Sequence, residues 1–265
     1  MRDNITSAIK TENLTRRFGE LTAVNALNLS VPSGIIFGFL GPNGAGKSTT
    51  IHMMIGLLPP TAGTAYVHGF DIIKTPLEVK RRIGVVPENL NLYERLTATE
   101  QIELVGRLHS LPQVEIKRRI PPLLEMLDLD SAGNKMILDY SQGMRKKTAL
   151  ACALIHAPEV LFLDEPFESI DPISTRAIKG TLREMVEQRG TTIFFSTHVM
   201  ELAERFCDQV GIINKGQLAD VGSIPALRER AGLPPDAALE DVFLHTVGAE
   251  ANDQKVLDWL TKQAA

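Results

Sequence analysis

Cysteine is close to absent. Cys152 and Cys207 are the only two in 265 residues. Their spacing matches no thiolate metal motif, and such usage suits a reducing cytosol. Positive charge is not in surplus either: 28 Lys and Arg face 32 Asp and Glu, a net charge of −4, so nothing advertises a nucleic-acid partner. No apolar run approaches the roughly 20 residues a membrane-spanning helix needs. The opening segment MRDNITSAIK lacks the hydrophobic core of a signal peptide. Internal repeats and low-complexity tracts are missing too. What is present is ordinary: 44% hydrophobic and 23% charged residues, the balance of a soluble globular protein. The length suits one large domain, or one domain with a lobe, with a substantial core. A soluble, intracellular, single-chain protein is the expectation.

Short β-rich runs alternate with helical stretches, which predicts an α/β protein. Residues 9–18 and 23–31 read as early strands, and IIFGFL at 35–40 as a strand buried on both faces. A helix is expected over 46–56, with short strands at 64–68 and 83–86. Between 97 and 129 apolar residues recur at three- and four-residue spacing (Ile102, Val105 and Leu108, then Ile116, Ile120 and Leu123). That block reads as a helical insertion. Helices near 144–157, 173–188 and 200–206 alternate with strands at 160–163 and 191–196. Residues 208–219 read as two strands around an Asn-Lys-Gly turn. From Ala231 the run is linker-like, with two short helices expected after it.

The strand IIFGFL runs straight into GPNGAGKSTT. Gly41, Gly46, Lys47 and Ser48 satisfy G-x-x-x-x-G-K-[ST]. Glycines let backbone N–H groups turn inward around phosphate oxygens, and the following helix presents its positive end. Lys47 can reach the β- and γ-phosphates, and Ser48 can offer a hydroxyl to Mg²⁺. The bland alternative is a glycine-rich strand–helix turn. The buried strand before it and the helix after it favour a nucleoside triphosphate site.

VLFLDEP at 160–166 is an apolar strand ending in two acids. Asp164 can hold Mg²⁺, and Glu165 can accept a proton from, or orient, an attacking water. An acidic turn capping the next helix is the competing reading. His198 follows another strand, in FFSTH; a lone histidine is by itself more often structural. GTPases fit poorly: NKGQ at 214–217 lacks the acid of N-K-x-D, and DEPF lacks the glycine of D-x-x-G. A nucleotide kinase fits poorly because no arginine-rich acceptor lid is evident. DYSQGMRKK at 139–147 reads locally as a serine cap on a basic helix.

Taken in order, GPNGAGKST, PEN, YSQGM, LFLDEP, SIDP and STH resemble the ATP-binding subunit of an ABC transporter. The likeness spans residues 9–217, and Asp164 lies 20 residues after Met144, a family-like separation. LEDVFLHTV near the end resembles the tail of ABC-2, multidrug-type bacterial exporter ATPases. The resemblance implies a P-loop NTPase (RecA-like) core with an antiparallel β-subdomain and a helical subdomain. The cassette would occupy 1–230, with the helical part at about 90–157 and a short helical tail at 231–265.

Residue by residue, the resemblance implies that Phe18 stacks on adenine. Gly41, Pro42, Asn43, Gly44, Ala45, Gly46, Lys47, Ser48 and Thr49 would hold the phosphates. Ser48, Glu88 and Asp164 would serve Mg²⁺, with Glu165 as general base. His198 would contact the γ-phosphate, and Asp171 would cross a dimer interface. Ser141 and Gly143 would cap the γ-phosphate of ATP held by a facing subunit. Two departures stand out. The family's Leu-Ser-Gly-Gly-Gln reads Tyr-Ser-Gln-Gly-Met, and Glu88 stands where a Gln is usual. Lys146, Lys147 and the other basic doublets, such as Arg118 and Arg119, read as solvated helix faces.

The implied activity is ATP hydrolysis, with ATP and Mg²⁺ bound, by a subunit that pairs with a second ATPase subunit, most simply a copy of itself. It would drive an integral membrane permease from the cytoplasmic face of the membrane and have no nucleic-acid partner. Residues 89–96 and the helices to 129 would form the permease groove. A soluble ABC ATPase acting on ribosomes or DNA is a second class, but such proteins usually carry two cassettes or a long coiled coil. A regulatory module with a degenerate site is a third, and intact Lys47, Ser48, Asp164, Glu165 and His198 argue against it.

Overall fold

A computed structural model describes residues 7–133, 135–167 and 170–248. Two sheets divide the strands. The first is antiparallel, in the order β2-β1-β4-β5, from β1 (Ser7–Phe18), β2 (Leu21–Pro32), β4 (Ala62–Val67) and β5 (Phe70–Asp71). The second runs β10-β9-β3-β8-β7-β6, from β3 (Ile36–Leu40), β6 (Ile83–Val86), β7 (Val160–Asp164), β8 (Thr192–Thr197), β9 (Gln209–Asn214) and β10 (Gln217–Gly222). In it only β10 pairs antiparallel. The helices are α1 (Lys47–Met54), α2 (Pro76–Arg82), α3 (Ala98–Leu108), α4 (Gln113–Met126), α5 (Gln142–Leu154), α6 (Pro172–Arg189), α7 (Met200–Phe206), α8 (Ile224–Arg230) and α9 (Leu239–Val247).

The central strands β3, β7 and β8 are buried at every position, so their side chains sort by alternation alone. Phe37, Phe39, Phe162 and Phe194 face one way. They join a core with Ile51 and Met54 of α1 and with Ile9 and Val24 of the first sheet. Their rings touch, with Phe194 at 5.3–5.6 Å from the other three. Ile36, Leu161, Leu163, Ile193 and Phe195 face the other way, onto α5, α6 and the helical block. Five phenylalanines of the ten are thus fully buried in three strands.

α3 opens with a capping box in which the Thr97 hydroxyl accepts from Glu100 N–H and the Glu100 carboxylate accepts from Thr97 N–H. Ile102 of α3, Ile116 and Ile120 of α4, Ile137 and Tyr140 are buried together. The tail is not a free linker. Arg228 of α8 donates to the Ala237 carbonyl at 2.8 Å and pairs with Glu204 of α7. Glu204 also accepts from Leu239 N–H. These contacts seat Leu239 and Val242 of α9 on Leu40, Val210 and Ile212. The expected helix around Val256, Leu257 and Leu260 lies outside the described residues.

A histidine pair joins the helical block to β6. His109 and His156 stack at 3.7 Å and 9°. His156 Nε2 donates to the Ile83 carbonyl at 2.9 Å, which fixes its tautomer, and Nδ1 is buried without a partner among the described residues. Burial, the facing His109 and nearby Arg119 push the His156 pKa down to about 4. The folded state therefore resists a proton that the unfolded chain accepts below about 6.5. Stability falls as pH drops from 6.5 towards 4. We expect His156→Gln to lose on the order of 2 kcal/mol less than wild type between pH 7 and pH 4.5 in urea titrations. Identical losses would refute this.

Candidate active site

Parallel register brings the chemistry to one edge. Leu40 pairs with Thr197, and Asp164 with Ser196, so β3, β8 and β7 end level with one another. The residues that follow are Gly41, His198 and Glu165. Because β8 lies between β3 and β7, His198 emerges between the phosphate loop and the acidic pair.

The loop from Gly41 to Gly46 curls back on itself, with Ala45 N–H donating to the Pro42 carbonyl. A Cβ on Gly41 would meet Ile213 O at 2.4 Å, and one on Gly46 (φ 106°) would meet Ala23 O at 2.6 Å. Only glycine keeps this path between the sheets. The Asn-Lys-Gly turn braces it: Gly216 N–H donates to the Ala45 carbonyl, and Asn25 N–H to the Gly216 carbonyl. Helix α1 begins at once, without a side-chain cap, so the N–H groups of Gly46, Lys47, Ser48 and Thr49 have no intrahelical acceptor. The Lys47 ammonium lies inside the loop, donating to the Gly41 and Pro42 carbonyls at 2.7 and 3.3 Å. It is 6% exposed and 3.8 Å from Glu165 Oε1. Burial lowers its pKa, against the pull of Glu165, Asp164 and Glu88. A cradle of N–H groups around a buried ammonium fits a polyphosphate.

Asp164 is 3% exposed. One of its oxygens accepts a hydrogen bond from the Ser196 hydroxyl, and the Ser196 oxygen accepts from Glu165 N–H at 3.2 Å. Glu165 itself has φ +46°, the left-handed region that residues with a Cβ seldom occupy. Its carboxylate, 11% exposed, meets His198 Nδ1 at 3.0 Å. The Lys146 ammonium donates to its carbonyl at 2.9 Å. Glu88 is exposed, and its charge reaches Lys47. No cluster of three or more His, Cys, Asp or Glu side chains suited to a metal is found among the described residues. One aspartate and one hydroxyl beside a polyphosphate nevertheless suit Mg²⁺, which keeps waters and takes few protein ligands.

The remaining sequence-predicted residues stand apart. Ser141 caps α5, its hydroxyl accepting from Met144 N–H at 3.2 Å, and both Ser141 and Gln142 are exposed. Gly143 follows in the first turn. Neither Ser141 nor Gly143 bonds to the Lys47–Glu165–His198 group among the described residues. Asp171 caps α6 through Ser174 N–H at 2.9 Å; the bonds from Ser174 hold its carboxyl below the usual range. Phe18 is 45% exposed with the Arg16 guanidinium 4.6 Å above its ring, so it is a surface platform rather than an edge-strand core residue.

The departures from the signature have packing reasons. Tyr140 is buried, its hydroxyl donating to the Ala132 carbonyl at 2.8 Å, and Met144 packs on the helical core. Leu90 and Leu92 pack on that core too, while Tyr93 is 63% exposed. Residues the sequence reading passed over are Ser196, Gly216 and Lys146. The solvated reading of Lys146 and Lys147 is corrected: each is 7% exposed. Their stems lie in the core; one ammonium reaches the Glu165 carbonyl, and the other lies 3.6 Å from Asp128.

The family model described as ABC transporter matches residues 24–168. A linearmycin resistance ATP-binding protein of Bacillus subtilis is 38% identical over 224 residues, 84% of this chain and 72% of that protein. A bacitracin transport ATP-binding protein of Bacillus licheniformis is 36% identical over 226 residues, 85% of this chain and 73% of that protein. Among solved structures, an ATP-binding subunit of an ABC transporter superposes with a TM-score of 0.85 at 30% identity, covering 91% of this chain and all of the other. A dimeric ATP-binding cassette in a post-hydrolysis state, bound to ADP and Pi, gives 0.75 at 26% identity, over 82% of this chain and 98% of the other. The chain belongs to the ABC transporter family, as an ATP-binding subunit that hydrolyses ATP.

Proposed function

We propose that two copies of the chain close around two ATP molecules and thereby drive a separate integral membrane permease, in an exporter. One observation carries the reading. α5 starts on an exposed Ser141 and a half-buried Gly143, suited to an anion, yet the phosphate loop of the same chain holds its lysine elsewhere. A second subunit supplies the missing phosphate. The dimeric relative bound to ADP and Pi and the antibiotic resistance and transport relatives support the same reading. The permease would hold the chain at the cytoplasmic face of the membrane. No helix among the described residues is long and apolar enough to cross it.

In this reading the N–H groups of residues 43–49 and Lys47 hold the phosphates, and the Phe18 ring supports the base. Ser48 and the free oxygen of Asp164, with Glu88 beside them, would hold Mg²⁺, which supplies charge neutralisation on the phosphates. Glu165, pinned by Ser196 and His198, takes a proton from the attacking water, and His198 then faces the γ-phosphate. Asp171 lies at the edge where the partner approaches, and Tyr93 with Met136 and Leu138 offers exposed apolar surface to the permease. Each charge-assisted bond from Ser141 or Gly143 is worth about 1.5–3 kcal/mol, so losing two on release of phosphate shifts closure by about 10²–10⁴-fold. The test is light scattering on the full chain carrying Glu165→Gln. With ATP and Mg²⁺ it should double in mass, and adding Ser141→Arg should return it to monomer. A strictly monomeric Glu165→Gln chain, alone and with its permease, sinks the proposal.

A further inference from the structure

Lys146 is a buried cation that the reading above does not use. Its side chain lines a small apolar cavity with Val86, Leu150, Leu163, Pro166, Ile178 and Leu182. A methionine or leucine would fill such a place, whereas an ammonium there gives up its hydration. That penalty calls for a compensating contact. Lys146 Nζ makes one with the main-chain oxygen of Glu165, at 2.9 Å.

Glu165 is held by three side chains at once. β8 gives the Ser196 hydroxyl to its N–H, and His198 past the end of β8 meets its carboxylate. α5 gives Lys146 to its carbonyl. Its left-handed backbone, φ +46°, is disfavoured for a side chain with a Cβ and persists only where neighbours impose it. Of these holders, only Lys146 belongs to the helix that opens on Ser141 and Gly143. It lies five residues into that helix, roughly 7.5 Å along its axis, so displacing the start of α5 displaces the cation as a rigid body.

We propose that Lys146 is a positioning residue for hydrolysis: it locks the Glu165 peptide in its left-handed turn and ties the placement of that carboxylate to the position of α5. Any shift of α5 as Ser141 and Gly143 engage or release then moves the base, which couples hydrolysis to closure. The inference rests on Glu165 being the general base. Among the described residues, Lys47 from the phosphate loop and His198 from the end of β8 meet that carboxylate, while Lys146 from α5 meets the main-chain carbonyl of the same residue.

Steady-state ATP hydrolysis by the full chain, with Lys146→Met, Lys146→Arg and Glu165→Gln in parallel, tests it. Lys146→Met should lower kcat by about 10–100-fold, the worth of one hydrogen bond to a charged group, while KM for ATP changes less than about threefold. Lys146→Arg, which restores a charged donor, should recover most of the rate. An unchanged kcat in Lys146→Met overturns the inference. So does a loss that Lys146→Arg does not rescue and that falls equally on kcat and KM. Should Lys146→Met not fold, Lys146→Leu, which also lacks the donor, takes its place, and an unchanged kcat in it is equally fatal. If Glu165→Gln retains full turnover, the reading of Glu165 itself fails, separately from any result at Lys146.

Discussion

Replacing Glu165 with glutamine lowers ATP turnover by about 10²–10⁴-fold, the usual worth of a general base, with ATP affinity unchanged within a few-fold. The side chain keeps its size and its hydrogen bond with His198, so the loop, Lys47 and the Ser196 bridge stay in place. What is lost is an acceptor for a proton. The carboxylate is well placed for that role: it is largely buried, 3.0 Å from His198 Nδ1 and 3.8 Å from Lys47, and its backbone is clamped on both sides. Single-turnover hydrolysis and equilibrium nucleotide binding separate the two quantities. A variant that keeps more than a tenth of the wild-type rate removes Glu165 from the chemistry and leaves it a spacer between Lys47 and His198.

How much of this was legible beforehand depended on the kind of signal. Strands buried on both faces announce themselves as short apolar runs, and the helical block from Ala98 to Met126 by its spacing. The phosphate loop is a local motif, so its residues are readable one by one. Helices α2 and α8 and the two-residue β5 are too short to show a clear period, and the sequence carries no expectation for them. The cradle's brace at Gly216 was visible only as a turn; its bond to Ala45 is a contact between segments 171 residues apart. Glu165 is the clearest limit. Nothing about glutamate predicts a positive φ, because the conformation is imposed by Ser196 and Lys146 from two other elements. Lys146 and Lys147 look like a solvated doublet because charge normally means surface. Their burial follows from α5 being packed against β6 and α3 at once, which no local pattern encodes.

Lys47→Met should abolish nucleotide binding without destabilising the free chain. Each bond from the ammonium to a phosphate oxygen is worth about 1.5–3 kcal/mol, so losing two raises Kd for ATP by more than about 10²-fold. Stability moves the other way. Burial lowers the Lys47 pKa despite three nearby acids, so the fold disfavours the charged form relative to the unfolded chain. The unfolded chain then binds the proton more tightly, and wild-type stability rises with pH between the lowered folded value and the ordinary 10.5. Below that window the penalty is fully present, and at pH 7 methionine, which fills the same channel without charge, removes it. Thermal unfolding at pH 7 should give a midpoint for Lys47→Met equal to or above wild type, and the wild-type gain towards pH 10 should be missing from the variant. A midpoint several degrees lower would mean that the ammonium's bonds to Gly41 and Pro42 hold the loop together, making Lys47 a structural strut first and a phosphate ligand second. The predicted pairing, binding lost and stability kept, belongs to a residue retained for its ligand.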